Sequence, residues 1–254
     1  MKIVVLLKQV PDTWSDRRLD ATSGRVVRVA SDAVTDEIDD RALEVALLYK
    51  DSQDVEIVTL ALGPAAVTDS LRKSLAVGAD SAVHVLDDGL AGADLALTAA
   101  TLGAAIRRIG FDLVIAGSES TDGRGGVIPA MVAEHLGVPH LTYLESVDIG
   151  ADSVTGTRAT EGGTLAAHTP LPAVISVTER SAEPRFPNFK GIMRAKKKPM
   201  EVLTAADLAL DDHRARTVVL SVAERPARSA GTVIKDEGDA GVRIADFLAD
   251  ARLI

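Results

Sequence analysis

No cysteine occurs among the 254 residues. That absence excludes disulfides, thiolate nucleophiles and Cys-ligated zinc or iron–sulfur centres. A reducing compartment agrees with it. Aromatic residues make up only 3% of the chain, so its core must come from Val, Ile, Leu and Ala. Short runs of those residues suit a parallel sheet covered by helices. No apolar run approaches the roughly 18–20 residues of a membrane span. The N-terminal MKIVVLLKQVPD is too short for a signal sequence, and no small-residue cleavage site follows it. A β-strand over Lys2–Leu7 is expected there instead. The expected location is cytoplasmic, bacterial-type, with no transit peptide and no direct membrane insertion. Positive charge is also in deficit, with 28 Lys and Arg against 37 Asp and Glu, a net charge of −9. An acidic balance argues against nucleic-acid binding, which needs a basic surface. One run departs from it: RAKKK, Arg194 to Lys198.

The first half alternates strand-like and helical patterns. Strands are expected at Lys2–Leu7, Glu56–Ala61, Ser81–Val85 and Leu113–Ala116. Helices are expected near Asp36–Lys50, Ala65–Val77 and Ala93–Ile109, with Gly78 and Gly110 as left-handed stops to the last two. Ile38, Ala42, Leu43, Ala46 and Leu47 form a 3.6-residue stripe on the first helix. Such alternation predicts right-handed βαβ units around a parallel sheet. A helix is expected from Val127 to Leu136, closed by Gly137 and Pro139. The pieces Val147–Ile149, Val154–Ala159 and Thr164–His168 read as an inserted β-hairpin, and Ala173–Val177 as a strand rejoining the sheet. Residues 183–199 lack a regular period and carry three prolines, two phenylalanines and six basic residues. A strand at Val218–Val222 and a helix at Val242–Leu253 complete the expectation. The fold class is therefore α/β: a parallel-sheet, Rossmann-like adenine-nucleotide-binding domain with a β-hairpin insertion. The division is residues 1–200, including the 183–199 loop, and a C-terminal arm, 201–254.

In open α/β sheets, ligands sit beyond the carboxyl ends of the strands, near the point where strand order reverses. Three loops should converge there: Lys8 to about Asp20, Val34–Asp39, and Gly117–Gly126 (GSESTDGRGG). The last has four glycines, hydroxyls at Ser118, Ser120 and Thr121, a cation at Arg124, and a helix start behind it. These features suit a phosphate. An ordinary flexible loop is the competing reading. The segment is neither a Rossmann fingerprint nor a Walker A loop, and Glu119 occupies the place a nucleophile elbow would give to Ser. His84, His135, His140, His168 and His213 share no helical i, i+3 or i+4 spacing, so no metal site is expected. No nucleophile–base–orienter set is present, and no catalytic residue is assigned. In the 183–199 loop, Phe186, Phe189, Ile192 and Met193 are apolar anchors among cations. They read as a docking surface, or as pins holding the loop to its own domain.

These segments resemble the beta subunit of electron transfer flavoprotein. The matching runs are VLLKQVPD (5–12), DEIDDRALEVAL (36–47), LGP (62–64), SLAVGADSAVHV (74–85), DLVIAGSESTDG (112–123), LPAVISV (171–177) and EPRFPNFKGIMRAKKKP (183–199). The resemblance implies an electron carrier, not an enzyme by itself. It implies a heterodimer whose alpha subunit holds FAD, while this chain holds a structural AMP. It implies an AMP site at Leu6, Asp36, Glu37, Ile38, Asp39, Leu62, Gly117, Ser118, Glu119, Ser120, Thr121, Asp122, Gly123, Arg124, Gly125, Gly126, Val127 and Ile128. Thr13 and Ile38 match positions that approach the flavin. A loop recognising acyl-CoA and related dehydrogenases falls on Glu183, Pro184, Arg185, Phe186, Pro187, Asn188, Phe189, Lys190, Gly191, Ile192, Met193 and Arg194, with Phe189 as the anchor. Electrons would pass on to a membrane-associated quinone oxidoreductase, and the C-terminal arm would pack on the alpha subunit. Many members have Lys-Gln where Ser118 and Glu119 stand, and Gln where Gly126 stands. A carboxylate at 119 would repel phosphate unless it points away. Three other readings are an electron-bifurcating subunit with a second FAD, a stand-alone ATP-using enzyme, and a nucleotide sensor.

Overall fold

The run KIVVLL forms β1 (Lys2–Leu7), and all of it except Lys2 is buried. A strand apolar on both faces belongs in the middle of a covered sheet. A computed structural model, which describes residues 1–15, 17–28, 33–210, 214–223, 225–227, 231 and 233–254, places β1 at the centre of seven strands. The others are β4 (Glu56–Leu62), β5 (Ser81–Val85), β6 (Leu113–Gly117), β7 (His140–Leu144), β11 (Ala173–Val177) and β12 (Met200–Leu203). Their order is β12-β5-β4-β1-β6-β11-β7, and every neighbouring pair is parallel. His213, one of the five histidines of the sequence, lies outside the described residues, as do Asp16 of the first loop and part of the linker before the last helix.

The two-residue period of β1 splits the core in two. Ile3, Val5 and Leu7 pack with α1 (Glu37–Lys50) and α2 (Val67–Val77). Val4 and Leu6 pack with α3 (Leu95–Ile109) and α4 (Ile128–Leu136). From β1 the chain runs outward through β4 and β5, then crosses back to lay β6 against the other side of β1. The strand order reverses between β1 and β6, so the crevice at their carboxyl ends is the ligand position of such sheets.

Several elements differ from expectation. The inserted hairpin is a three-stranded antiparallel sheet, β8 (Ser146–Ile149), β9 (Ser153–Thr160) and β10 (Gly163–Pro170), in the order β10-β9-β8. The unexpected β7 and β12 are the two edge strands. Their short, mixed sequences HLTYL and MEVL gain strand form from pairing rather than from propensity. A small antiparallel pair, β2 (Gln9–Pro11) and β3 (Ala33–Thr35), was likewise unmarked. So was α5 (Phe189–Ala195), two turns too short to show a period. Val218–Val222 forms no strand. Gly137 takes the left-handed stop conformation, whereas Gly78 and Gly110 take positive φ with ψ values outside that region.

The chain divides into two compact units, Met1–Leu220 and Ser221–Ile254. The boundary expected at 200/201 thus falls about twenty residues early, because β12 joins the sheet and Leu208 and Leu210 are buried in the second core. The C-terminal unit carries α6 (Ala240–Asp250), in which no residue is buried.

Candidate functional site

The site is organised by two buried carboxylates at the start of α1. Asp36 is the N-cap, accepting from the Ile38 N–H at 3.0 Å. Its other oxygen accepts from the Thr121 N–H at 2.6 Å and the Thr121 hydroxyl at 2.8 Å. Asp39 joins two strand ends, accepting from the Lys8 N–H at 2.8 Å and the Gly117 N–H at 3.0 Å. It thus bridges the carboxyl ends of β1 and β6, at the point where strand order reverses. Burial, then the neighbouring Asp36, pushes the Asp39 carboxyl well above its ordinary pKa, against the pull of those two N–H groups. Gly117 is required beneath it, since a Cβ there would lie 2.6 Å from the Asp39 carboxylate.

Asp122 is a second hub. Its side chain is fully buried, yet it meets Lys8 Nζ at 2.7 Å and the Arg28 guanidinium at 2.7 Å. Burial alone would raise its pKa; hydrogen bonding and charge from Lys8, with Arg28 and Ser120 adding to them, bring it down to about 2. Lys8 also donates to the Ser120 hydroxyl at 3.0 Å, and Arg17 donates to the Thr121 carbonyl. Lys8 and Arg17 lie in the first loop expected to converge on the site but were not singled out, and Arg28 lies beyond that loop. The spacing carried no signal for them: Lys8 and Arg28 reach Asp122 across 114 and 94 residues.

With Asp36, Asp39, Thr121 and Asp122 turned to the protein, the loop exposes Gly123, Arg124, Gly125 and Val127. Glu119 pairs with Arg124 at 3.6 Å, within the loop. The chain then enters α4 with no side chain capping its first turn, as also at α2 and α6, whereas α1, α3 and α5 are capped by Asp36, Asp94 and Asn188. An uncapped helix start after a glycine-rich turn leaves N–H groups and a positive dipole end for an anion. Tyr143, with φ of 59°, donates its hydroxyl to the Gly126 carbonyl at 3.1 Å. A side chain at 126 would collide with that hydroxyl, so the loop tolerates glycine at this point. Among the described residues, Thr35 Oγ1, beside Asp36, is the one buried side-chain polar atom without a partner.

The other predicted residues are distributed as follows. Leu6 is buried in the second core, and Leu62 is half-buried at the end of β4. Glu37 is exposed on the first turn of α1. Ile38 is buried against Gly117, and Thr13 is exposed in the turn after β2. The 183–194 segment lies beside α1 and α2, carried by Arg185 on Glu44 and Asp51 and by α5 against α2. It exposes Phe186 at 92% and Phe189 at 78%. Among the described residues, no group of His, Asp and Glu could hold a metal ion. Nor is any helix among them long and apolar enough to cross a membrane.

Comparison with known proteins identifies the family. Residues 24–208 match the electron transfer flavoprotein domain family. A Mycobacterium leprae protein named electron transfer flavoprotein subunit beta is 46% identical, with 99% of both chains covered. Proteins of the same name from Megasphaera elsdenii and Clostridium acetobutylicum are each 34% identical, covering 97% and 83% of this chain and 96% and 81% of theirs. The chain belongs to the electron transfer flavoprotein family, on the side of its beta subunits.

Proposed function

We propose that this chain is the nucleotide-holding and partner-docking half of a two-subunit electron carrier. AMP is held in the 117–128 loop, and FAD is held mainly by an alpha subunit. The observation that carries the nucleotide assignment is the uncapped start of α4, delivered by a glycine loop to the reversal point of the sheet. The donors fit an adenylate: backbone N–H groups from Gly125 to Ile128, since those of Gly123 and Arg124 already bond Ser120, with Arg17 and Arg124 nearby and Lys8 and Arg28 offsetting Asp122. Asp36, Asp39 and Asp122 do not oppose it, because each is already committed to N–H groups or cations. AMP supplies no redox chemistry; bound flavin is the group that carries electrons. On this reading, no residue of this chain is catalytic.

Phe186 and Phe189, exposed on a basic segment, support docking of acyl-CoA and related dehydrogenases. Electrons then leave for a quinone oxidoreductase at the membrane, with the carrier in the cytoplasm. The stripe Ile244, Phe247 and Leu248 on α6, with Ala251 as its C-cap, supports packing of the C-terminal arm on the alpha subunit. The decisive experiment is purification with the alpha subunit, followed by denaturation and mass spectrometry of released nucleotides. One FAD and one AMP per heterodimer is the expected result. Two FAD would indicate the bifurcating variant. No adenine nucleotide would refute the AMP site, and ATP turnover by the isolated chain would replace it with an enzyme.

A further inference from the structure

The EPRFPNF segment points some side chains out and others in. Phe186 and Phe189 are exposed, with Ile192 and Met193 about half exposed beside them. Arg185 does the opposite. Its Nε meets both oxygens of Glu44, at 3.0 and 2.9 Å, and its Nη2 meets Glu44 again at 2.8 Å. The same guanidinium forks onto Asp51, at 3.2 and 2.7 Å. Even the Arg185 backbone N–H donates to Glu44, at 3.1 Å. The Glu44 side chain is only 5% exposed. It sits mid-way along α1, on a helix whose first turn already holds the glycine loop through Asp36 and Asp39.

The rest of the segment is fastened in the same manner. Arg41 donates to the carbonyls of Ser181 and Ala182, at 3.3 and 3.1 Å. Asn188 caps α5 by accepting from the Gly191 N–H at 2.8 Å. Gly191 lies so close to the Ala76 carbonyl that any Cβ there would overlap it. Arg72, from α2, reaches the Ala195 and Lys198 carbonyls at 3.0 and 3.3 Å. Two phenylalanines on a loop of this length would ordinarily be mobile, and a partner would have to order them on binding. Here the backbone that carries them is tied to α1 and α2 by the contacts above.

We infer that Arg185 is a positioning residue: its fork on Glu44 and Asp51 holds Phe186 and Phe189 in the geometry a partner engages, and it is not itself a docking contact. This rests on the docking reading above. It also assigns docking to an exposed aromatic pair on a fastened segment rather than to the cations of the segment. A planar guanidinium can hold two carboxylates at once, whereas an ammonium is a point charge. Arg185→Lys therefore keeps the charge and loses the fork. Asp51→Asn removes only the more exposed arm and leaves the buried Glu44 pair intact.

The test uses the heterodimer, with an acyl-CoA dehydrogenase reduced by its acyl-CoA as the electron donor. Arg185→Lys should raise the KM for the heterodimer by about tenfold at nearly constant kcat, since what is lost is pre-ordering of the docking groups. Asp51→Asn should give a smaller rise in the same direction. Trypsin cleavage after Lys190 and Arg194, followed by peptide mapping, should accelerate in the order wild type, Asp51→Asn, Arg185→Lys. Phe189→Ala serves as the reference for docking. If Phe189→Ala raises KM while Arg185→Lys and Asp51→Asn change neither KM nor cleavage, the latch is wrong and docking stands. If Phe189→Ala leaves KM unchanged, the docking reading falls and the positioning role falls with it. Should Arg185→Lys not fold, Asp51→Asn decides by the same two measurements.

Discussion

In the loop after β6, buried side chains grip the protein and the glycine backbone faces out. In the segment 183–194 the backbone and Arg185 grip the protein, and two phenylalanines face out. Both loops are fixed to α1, the first through Asp36 and Asp39 at its start, the second through Glu44 and Asp51 at its middle and end. One helix thus carries a glycine loop with exposed backbone at one end and an exposed apolar surface at the other. The difference lies in what fixing costs. The glycine loop is held by buried hydrogen bonds, so breaking one should unsettle the fold. The aromatic hook is held by a pair that solvent partly reaches, so breaking it should disturb binding first.

The strongest test of that contrast is Asp36→Ala. It removes the α1 cap and strands the buried N–H groups of Ile38 and Thr121. A loss of about 3 kcal/mol in unfolding free energy is expected, read from urea midpoints, with nucleotide content falling as well. A loss below about 1 kcal/mol would mean the loop is not held from α1.

Phe189→Ala probes the other surface. Electron transfer from a reduced dehydrogenase should weaken by about 1–3 kcal/mol, as for a docking hot spot. Stability should change by less than about 0.5 kcal/mol, because Phe189 is 78% exposed. A large stability loss without a binding loss would place Phe189 among the groups that fasten the loop, and erase the contrast.

How far these surfaces could be read in advance follows from the same distinction. The strands β1, β4, β5 and β6 and the helices between them were legible because each buries a continuous apolar run or stripe. The glycine loop stood out by composition, and the 183–199 segment by its phenylalanines among prolines and cations, while the exposure of Phe186 and Phe189 came only from the structure. The grips were not. Asp122 meets Lys8 and Arg28 across gaps of 114 and 94 residues, and Arg185 meets Glu44 across 141. No local pattern records such pairs. The edge strands β7 and β12 escaped for a related reason, since pairing with β11 and β5 creates them.

Acid should expose the Asp122 hub. Its carboxyl is depressed to about 2 in the folded chain, so the sign is that of a stabilising carboxylate. Its contribution is fully present above the unfolded pKa, near 4, and is lost as pH falls toward 2. The amount is about 1–2 kcal/mol, discounted for the partial exposure of Lys8 and Arg28. Asp122→Asn should flatten the stability–pH curve between about pH 4 and pH 2. An unchanged slope would remove Asp122 from the hub.

The smallest effect is expected at Glu119, the residue most at odds with a phosphate site. Glu119 and Arg124 form an ion pair at 3.6 Å, and the Arg124 side chain is 71% exposed. Solvent screens such a pair, so Glu119→Gln should change stability by less than about 0.5 kcal/mol. It frees Arg124 and removes a negative charge, so AMP affinity measured by calorimetry should rise, by about threefold or less. The direction matters more than the size. A rise means that Glu119 opposes the phosphate and that the loop binds through its backbone in spite of that side chain. A fall would mean that Glu119 accepts a hydrogen bond from the nucleotide. The polar side chains of the loop would then face both ways, and the contrast with the hook would narrow.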